Sequence, residues 1–175
     1  MKNLLYIATA IALLNACIFG QDATPTASNA TAPVAKPQAD LFVREKFDPT
    51  RDPKADLKAA IETASKSGKR IIIDLGGEWC SWCVYMDKFF FQNPALAKIR
   101  DDNFLWVKVN VSEQNENKVF LSSYPAAAGY PHFYVLTKTG KLLHSHDTSS
   151  LEKGKGYDLV KFTRFLKIWS PRKVS

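Results

Sequence analysis

The chain has 175 residues, of which 46% are hydrophobic, and it carries a formal net charge of +7. This length suffices to bury the core of one globular domain and little more. The Lys and Arg residues are scattered without a dense basic run, which argues against a nucleic-acid partner and favours a solubilising surface charge, with mild attraction to anionic lipid as the alternative.

Residues 1–17 have the pattern of a secretory signal peptide. After a positively charged start, residues 4–14 form an apolar stretch that is too short to span a bilayer stably. The stretch ends with Leu-Asn-Ala-Cys at 14–17, which resembles the lipobox of bacterial lipoproteins. This resemblance implies a lipid anchor on Cys17. The alternative is ordinary cleavage a few residues later, for instance after Gly20, which would release a soluble protein.

Residues 18–40 are rich in Ala, Thr and Pro and show no hydrophobic periodicity. This composition predicts a disordered tether that lets the folded part stand off the membrane. Apolar residues resume at Leu41, and we expect one domain over residues 41–175. No second apolar stretch is long enough to cross a membrane. We therefore expect a protein of the bacterial envelope, in the periplasm, held to the membrane by the lipid on Cys17.

The first part of the domain predicts helices that alternate with strands. Asp52 and Pro53 are typical of a helix start, and apolar residues recur at helical spacing until Gly68 ends the helix. Further elements are predicted as a strand at Arg70–Leu75, a helix at Cys80–Gln92, a short helical piece through Leu96 and Ile99, and a strand at Phe104–Val111.

The second part predicts a helix, a hairpin and a closing helix. The helix is predicted over Glu113–Tyr124, the hairpin strands over His132–Thr137 and Lys141–His146, and the last helix around Phe162–Trp169. This order of elements predicts an α/β fold, with a central mixed β-sheet covered by helices on both faces.

Two cysteines carry the chemical signal of the sequence. Cys80 and Cys83 follow directly after the apolar strand, with two residues between them. Side chains at i and i+3 of a helix are neighbours, at a Cα separation that a disulfide can bridge. Because Cys17 is lipidated or removed, these are the only cysteines of the mature chain. An exported protein with one such pair uses it for redox chemistry or for metal rather than as a structural staple.

Four features together carry a family resemblance. Glu78 and Trp79 precede the first cysteine, Asp74 lies six residues before it, Lys108 interrupts the apolar strand 104–110, and Gly129-Tyr130-Pro131 precedes a strand. In this arrangement residues 52–169 resemble the thioredoxin-fold thiol–disulfide oxidoreductases. The segments 76–80, 131–133 and 143–147 resemble an exported bacterial subgroup, and the periplasmic C-terminal domain of the DsbD reductase shows a related pattern.

The position of each cysteine predicts its role. Cys80 lies at a helix N-terminus, where free backbone N–H groups and the helix dipole favour a thiolate, so we expect an accessible nucleophile with a lowered pKa. Cys83, one turn deeper and shielded, would resolve the mixed disulfide. Asp74 would accept the proton of Cys83 if it is buried, the alternative being a solvated residue at the strand end. Lys108 is expected to pair with Asp74, unless it points to solvent at the sheet edge.

The resemblance implies that four more residues bind substrate. Trp79 would cover the site with an apolar surface, the alternative being a core aromatic. Pro131 is expected in the cis form, the alternative being an ordinary trans proline, and would turn the backbone of Tyr130 toward the dithiol. His132 would tune the pKa of Cys80, or it is structural. No cofactor and no metal are implied.

We therefore expect a membrane-tethered thiol–disulfide oxidoreductase that acts on cysteine-containing envelope proteins and exchanges electrons with a membrane partner. Asp74 and Lys108 favour a reductase, although the dipeptide Ser81-Trp82 departs from the family's common sequences and leaves the direction open. One alternative is a Cu(I) metallochaperone that uses Cys80 and Cys83, with His132 as an optional third ligand. The other is a binding module that keeps the fold without catalysis.

Overall fold

The computed structural model describes residues 45–172. The predicted signal segment, the lipidation site Cys17 and the predicted tether lie outside the described residues, so these three stay predictions. Within residues 45–172, no helix is both long enough and apolar enough to span a bilayer.

A four-stranded mixed sheet forms the centre of the fold, in the order β2-β1-β3-β4. β1 runs parallel to β2 and antiparallel to β3, and β3 is antiparallel to β4. A separate two-stranded hairpin, β5–β6, precedes the last helix. The strands are β1 (Arg70–Gly76), β2 (Phe104–Asn110), β3 (His132–Leu136), β4 (Leu142–Asp147), β5 (Glu152–Lys153) and β6 (Gly156–Tyr157).

Within residues 45–172, five α-helices and one short 3-10 helix surround the sheet. Each predicted helix except the one at Glu113–Tyr124 is present to within a few residues of its expected bounds. The α-helices are α1 (Pro53–Ser67), α2 (Ser81–Gln92), α3 (Pro94–Asn103), α4 (Lys118–Leu121) and α5 (Leu159–Trp169), and the 3-10 helix is Thr148–Leu151.

The ends of α1 follow from local chemistry. The side chain of Asp52 caps the helix by accepting a hydrogen bond from the backbone N–H of Lys54, and Pro53 occupies the first turn. Gly68 ends the helix in the left-handed conformation, at φ 73°. These were the signals that predicted α1, and the structure confirms them.

The sheet is covered by helices on both faces, as predicted. Ile71, Ile73 and Leu75 of β1 pack with α1 and α4 on one face, because alternate strand residues point the same way. Ile72 packs on the opposite face with residues of α2, α3 and α5. Asp74 belongs to this second face, so the helix that begins at the cysteines lies over the buried carboxylate.

The predicted helix over Glu113–Tyr124 is wrong. Only Lys118–Leu121 is helical, and the residues before it form turns around an isolated bridge between Ser112 and Asn115. Asparagine side chains hold these turns, because the amide of Asn117 donates to the carbonyl of Asn110 at 2.8 Å and Asn117 itself has φ 50°. Such local side-chain hydrogen bonds compete with helix formation.

Candidate active site

The two cysteines are joined in a disulfide at the N-terminus of α2. β1 ends at Gly76, a short loop follows, and Cys80 is the N-cap of the helix. The Cα atoms of Cys80 and Cys83 are 5.3 Å apart, within the range that a disulfide bridges. The backbone N–H of Cys83 donates to the Sγ atom of Cys80 at 3.1 Å. The same hydrogen bond would stabilise a thiolate on Cys80 after reduction.

Both cysteines are buried, which corrects the expectation of an accessible Cys80. Cys80 is 4% exposed and Cys83 is 2% exposed. They form a cluster with the buried ring of Phe47, and Trp82 and Tyr130 pack against it. Aromatic side chains brought in from three separate segments therefore cover the disulfide, and they must yield when a substrate reaches the Cys80 sulfur.

Gly76 makes room for the deeper sulfur. A Cβ atom at position 76 would lie 2.5 Å from the Sγ atom of Cys83 and 3.0 Å from the ring of Phe47. These distances are too short for any non-bonded carbon, so a side chain here would displace the disulfide or Phe47. Glycine lets the end of β1 approach the dithiol closely.

Asp74 is buried beneath this region, as predicted. It is 2% exposed, and burial raises its pKa to about 6. Its Oδ2 atom accepts a hydrogen bond from the indole N–H of Trp106 at 2.9 Å. Its Oδ1 atom has no hydrogen-bond partner among the described residues. A carboxyl with such a pKa exchanges its proton near neutral pH, which is the property that the resolving step requires.

The predicted ion pair of Lys108 with Asp74 is present, but Asp87 is a closer partner that was not predicted. The Lys108 side chain is buried at the edge strand, and its Nζ atom lies 2.7 Å and 2.8 Å from the two carboxylate oxygens of Asp87. Asp74 is at 4.0 Å, the outer limit of an ion pair. Asp87 is the closer partner because α2 lies over this face and places a second carboxylate above β2. The ring of Phe47 lies 4.3 Å from the same ammonium.

Three of the four predicted substrate-binding residues lie around the disulfide. Trp79 is 60% exposed, so it is not a core aromatic, and its indole N–H donates to the carbonyl of Val111 at 2.7 Å. The ring of Tyr130 meets that of Trp79 edge to face, with centroids 5.7 Å apart. The Tyr130–Pro131 peptide bond is cis, as predicted.

His132, the fourth, lies apart from this group. It pairs with Leu75 across the sheet, so it is on the face opposite to Asp74 and α2. Its Nε2 atom hydrogen-bonds the hydroxyl of Ser145 at 2.8 Å, and its ring packs against Tyr134. Burial lowers its pKa, which favours the neutral ring. These contacts favour the structural alternative for His132.

Two further residues of the site, Phe47 and Asp87, were not predicted from the sequence. Asp87 lies four residues after Cys83 on the inner face of α2, and a carboxylate within that apolar stripe was a signal for a buried cation. Phe47 precedes the first helix in a polar segment and had no periodic pattern around it. Its backbone N–H donates to the carboxylate of Glu78 at 2.9 Å, a contact between residues 31 positions apart.

The described residues offer little support for a metal centre. Among residues 45–172, no group of three or more His, Cys, Asp or Glu side chains is placed to hold a metal ion. His132, the optional third ligand of the copper alternative, has its contacts on the other face of the sheet.

Replacing Lys108 by Met should raise the pKa of Asp74 above about 6, because the ammonium is the strongest of the groups that now lower it. NMR titration of the Asp74 carboxyl carbon measures this shift. Lys98→Met is the matched control, since Lys98 pairs with Asp102 at the surface and should leave Asp74 unchanged. A lower or unchanged Asp74 pKa in the Lys108 variant would contradict the arrangement.

Comparison with known proteins agrees with this geometry. A sequence model described as thioredoxin-like matches residues 52–138, which hold α1 to β3, both cysteines and the cis proline. These residues belong to the thioredoxin-like family. This match confirms the predicted thioredoxin-like family and the predicted α/β fold.

Solved structures of low sequence identity share the fold of this thioredoxin-like domain. The disulphide isomerase from Xylella fastidiosa Temecula1 is 20% identical, with a TM-score of 0.62 over 73% of this chain and 98% of its own. The oxidised C-terminal domain of DsbD from Neisseria meningitidis is 23% identical, with a TM-score of 0.50 over 74% of this chain and 100% of its own.

Curated relatives match a shorter part of the chain. An uncharacterized protein of Caenorhabditis elegans is 35% identical over 72 residues, and spermatogenesis-associated protein 20 of Mus musculus is 30% identical over 76 residues. Each match covers 41% of this chain and 10% of the relative. The chain thus spans about a tenth of the length of these relatives.

Proposed function

We propose that this protein is a thiol–disulfide oxidoreductase of the bacterial envelope that exchanges the Cys80–Cys83 pair with cysteine-containing proteins, mainly as a reductase. The observation that carries the proposal is the disulfide at the start of α2, which forms within one helical turn and has a backbone N–H aimed at the Cys80 sulfur. The fold needs no rearrangement of its strands for the pair to open and close.

The exchange proceeds in two displacements. The Cys80 thiolate attacks one sulfur of a substrate disulfide, forming a mixed disulfide and releasing the other substrate sulfur as a thiolate. The Cys83 thiolate then attacks the Cys80 sulfur, which restores the Cys80–Cys83 disulfide and releases the second substrate thiol. Two electrons pass from the protein to the substrate.

Asp74 serves the second displacement by accepting a proton from Cys83. A carboxyl with a pKa of about 6 is ionised for the most part at pH 7, and burial keeps it basic enough to take a proton. The neighbouring charges of Lys108 and Asp87 also act on the pKa of Asp74. Trp79 and Tyr130 provide the exposed apolar surface on which a substrate segment rests.

The cellular setting rests on the sequence patterns. The signal-like start and the lipobox-like Cys17 support export and a membrane anchor. A reductase outside the cytosol needs its dithiol regenerated, so we propose a membrane-embedded dithiol donor as the electron partner. The reducing direction is supported by the buried Asp74 and the neighbouring Lys108. A Cys80–Cys83 potential near that of DsbA, about −120 mV, would reverse this preference.

The experiment is a trap for the mixed disulfide. A Cys83→Ala variant, produced with its own signal in a bacterial host, should accumulate thiol-reducible adducts between Cys80 and envelope proteins, since the resolving sulfur is gone. A variant with both cysteines replaced by Ala is the control for non-specific recovery. Adduct levels equal to this control would overturn the proposal. Stoichiometric Cu(I) uptake by the reduced wild-type protein, together with no adduct of the Cys83→Ala variant, would favour the metallochaperone.

A further inference from the structure

A groove opens beside the dithiol. It encloses a cavity of about 1030 Å³, which is large enough for several side chains of a bound segment. Its apolar wall is formed by the side chains of Phe47, Pro49, Trp79, Val111, Leu121 and Tyr130.

The groove is continuous with the redox site. Trp79 directly precedes Cys80 in the chain, and Tyr130 packs both against Trp79 and against the cysteine cluster. A substrate segment whose cysteine is bonded to Cys80 would therefore run its neighbouring residues along this wall.

Hydrogen bonds hold the groove in shape. The indole N–H of Trp79 donates to Val111 at 2.7 Å, which ties the two sides of the groove together. The loop after β2 is closed by reciprocal backbone hydrogen bonds between Ser112 and Asn115, each of 3.1 Å. The Asn115 amide donates to the carbonyl of Pro49 at 2.9 Å. A groove that is fixed before binding loses less entropy when it is filled.

The charge of the groove is opposite to that of the chain. The chain carries a net charge of +7, yet Glu78, Glu113 and Glu116 line the groove. Among the described residues that line it, Lys118 is the only one with a cationic side chain. Lys118 forms an ion pair with Glu116, so its charge is balanced by one of the groove's own carboxylates. Glu113 and Glu116 are exposed. Carboxylates above an apolar floor favour cationic side chains with long aliphatic stems.

We propose that this groove binds an extended segment of the substrate protein that carries Lys or Arg side chains near the reacting cysteine. The inference rests on the proposed function, and it specifies which disulfides the protein attacks fastest. The apolar wall takes the backbone and the aliphatic stems, and the exposed carboxylates of Glu113 and Glu116 attract the cationic ends. Disulfides flanked by acidic residues are repelled by the same rim.

The test is a set of matched peptides, each with one cysteine in a mixed disulfide with 2-nitro-5-thiobenzoate. One peptide carries Arg beside the cysteine, the second Gln and the third Glu. The reduced protein attacks the mixed disulfide and releases the coloured thiolate, so absorbance gives the rate. We expect the Arg peptide to react about 5- to 10-fold faster than the Glu peptide at low ionic strength, with the ratio falling as salt screens the charges.

Substitutions in the groove test whether its glutamates cause the difference between the peptide rates. In a variant that carries both Glu113→Gln and Glu116→Gln, the Arg peptide and the Glu peptide should react at nearly equal rates. The matched control is Glu62→Gln on the exposed surface of α1, outside the groove, which should keep the wild-type ratio. Circular dichroism of each variant confirms that the fold is retained.

The outcomes separate the two proposals. If the wild-type protein reacts with neither the peptides nor the small uncharged 2-hydroxyethyl disulfide, the proposed function fails. If it reacts with all of them but the Arg and Glu peptides do not differ, the groove proposal alone is overturned. A dimer in sedimentation analysis that the double variant dissociates would make a second copy the occupant and also overturn it.

Discussion

A Cys80→Ser variant should reduce substrate disulfides at least about a thousandfold more slowly than the wild type, because a hydroxyl at this position is a poor nucleophile at neutral pH. Cys80 is the sulfur at the helix N-terminus that receives the N–H of Cys83, so its loss removes the first displacement. Stopped-flow release of thiobenzoate from a neutral peptide disulfide, under single-turnover conditions, measures this step directly.

A Cys83→Ser variant serves as the matched control because it removes the other sulfur with the same chemical change. It should complete the first displacement and stop at the mixed disulfide, giving one coloured thiolate per protein and no Cys80–Cys83 bond. The mass of the adduct identifies it. The opposite pattern, in which the Cys80 variant reacts and the Cys83 variant does not, would exchange the two roles.

An Asp74→Asn variant should be more stable than the wild type at pH 7 by about 3 kcal/mol at most, because a buried carboxylate without full compensation destabilises the folded state. Asn keeps an oxygen that can accept the hydrogen bond from Trp106, and Lys108 keeps its ion pair with Asp87. The substitution therefore removes a buried charge with little loss of contacts.

The stabilisation by Asp74→Asn should increase as the pH rises from 4 to 7. The pKa of Asp74 is raised to about 6 in the folded state from 3.8, so the folded state holds a proton that the unfolded state has released between these values. The wild-type free energy of unfolding thus falls as pH rises from about 4 to about 6 through this group. The free energy of unfolding of the Asp74→Asn variant does not fall in this way. Its excess over the wild-type value should therefore be small at pH 4 and fully developed at pH 7.

Urea unfolding at pH 4 and pH 7 measures the advantage of Asp74→Asn at both ends of this window. Asp102→Asn is the control, since Asp102 lies in a surface ion pair and should change the free energy of unfolding by less than about 0.5 kcal/mol. A stabilisation that is equal at the two pH values would show that ionisation of Asp74 is not its cause. Loss of stability at pH 7 would contradict the buried-charge argument outright.

Much of the framework around the dithiol could be predicted because it depends on local signals. The isoleucines of β1, the capping residues of α1 and the spacing of Cys80 and Cys83 each act over a few residues. The cis bond before Pro131 followed from the family resemblance. In contrast, the helical reading of Glu113–Tyr124 was wrong, because Asn115 and Asn117 are turn-favouring residues whose side chains hold turns there.

The partners of the buried charges could not be predicted in the same way. Lys108 was known to need a carboxylate, and two were available on separate elements. Lys108 lies against both of them, and how α2 lies over β2 decides that Asp87, at 2.7 Å, is closer than Asp74, at 4.0 Å. The burial of Cys80 likewise depends on Phe47, which comes from a segment more than thirty residues earlier.

The sequence by itself determined the dithiol, its place after a buried strand and the carboxylate below it, because neighbouring residues and strand alternation decide these. Tertiary structure alone decided that Phe47 covers the disulfide, that Asp87 holds Lys108 and that an acidic groove runs beside Trp79. These features join segments far apart in the chain. They arise only when the sheet, α2 and the loop after β2 pack together, since the packing of whole elements fixes which distant side chains meet.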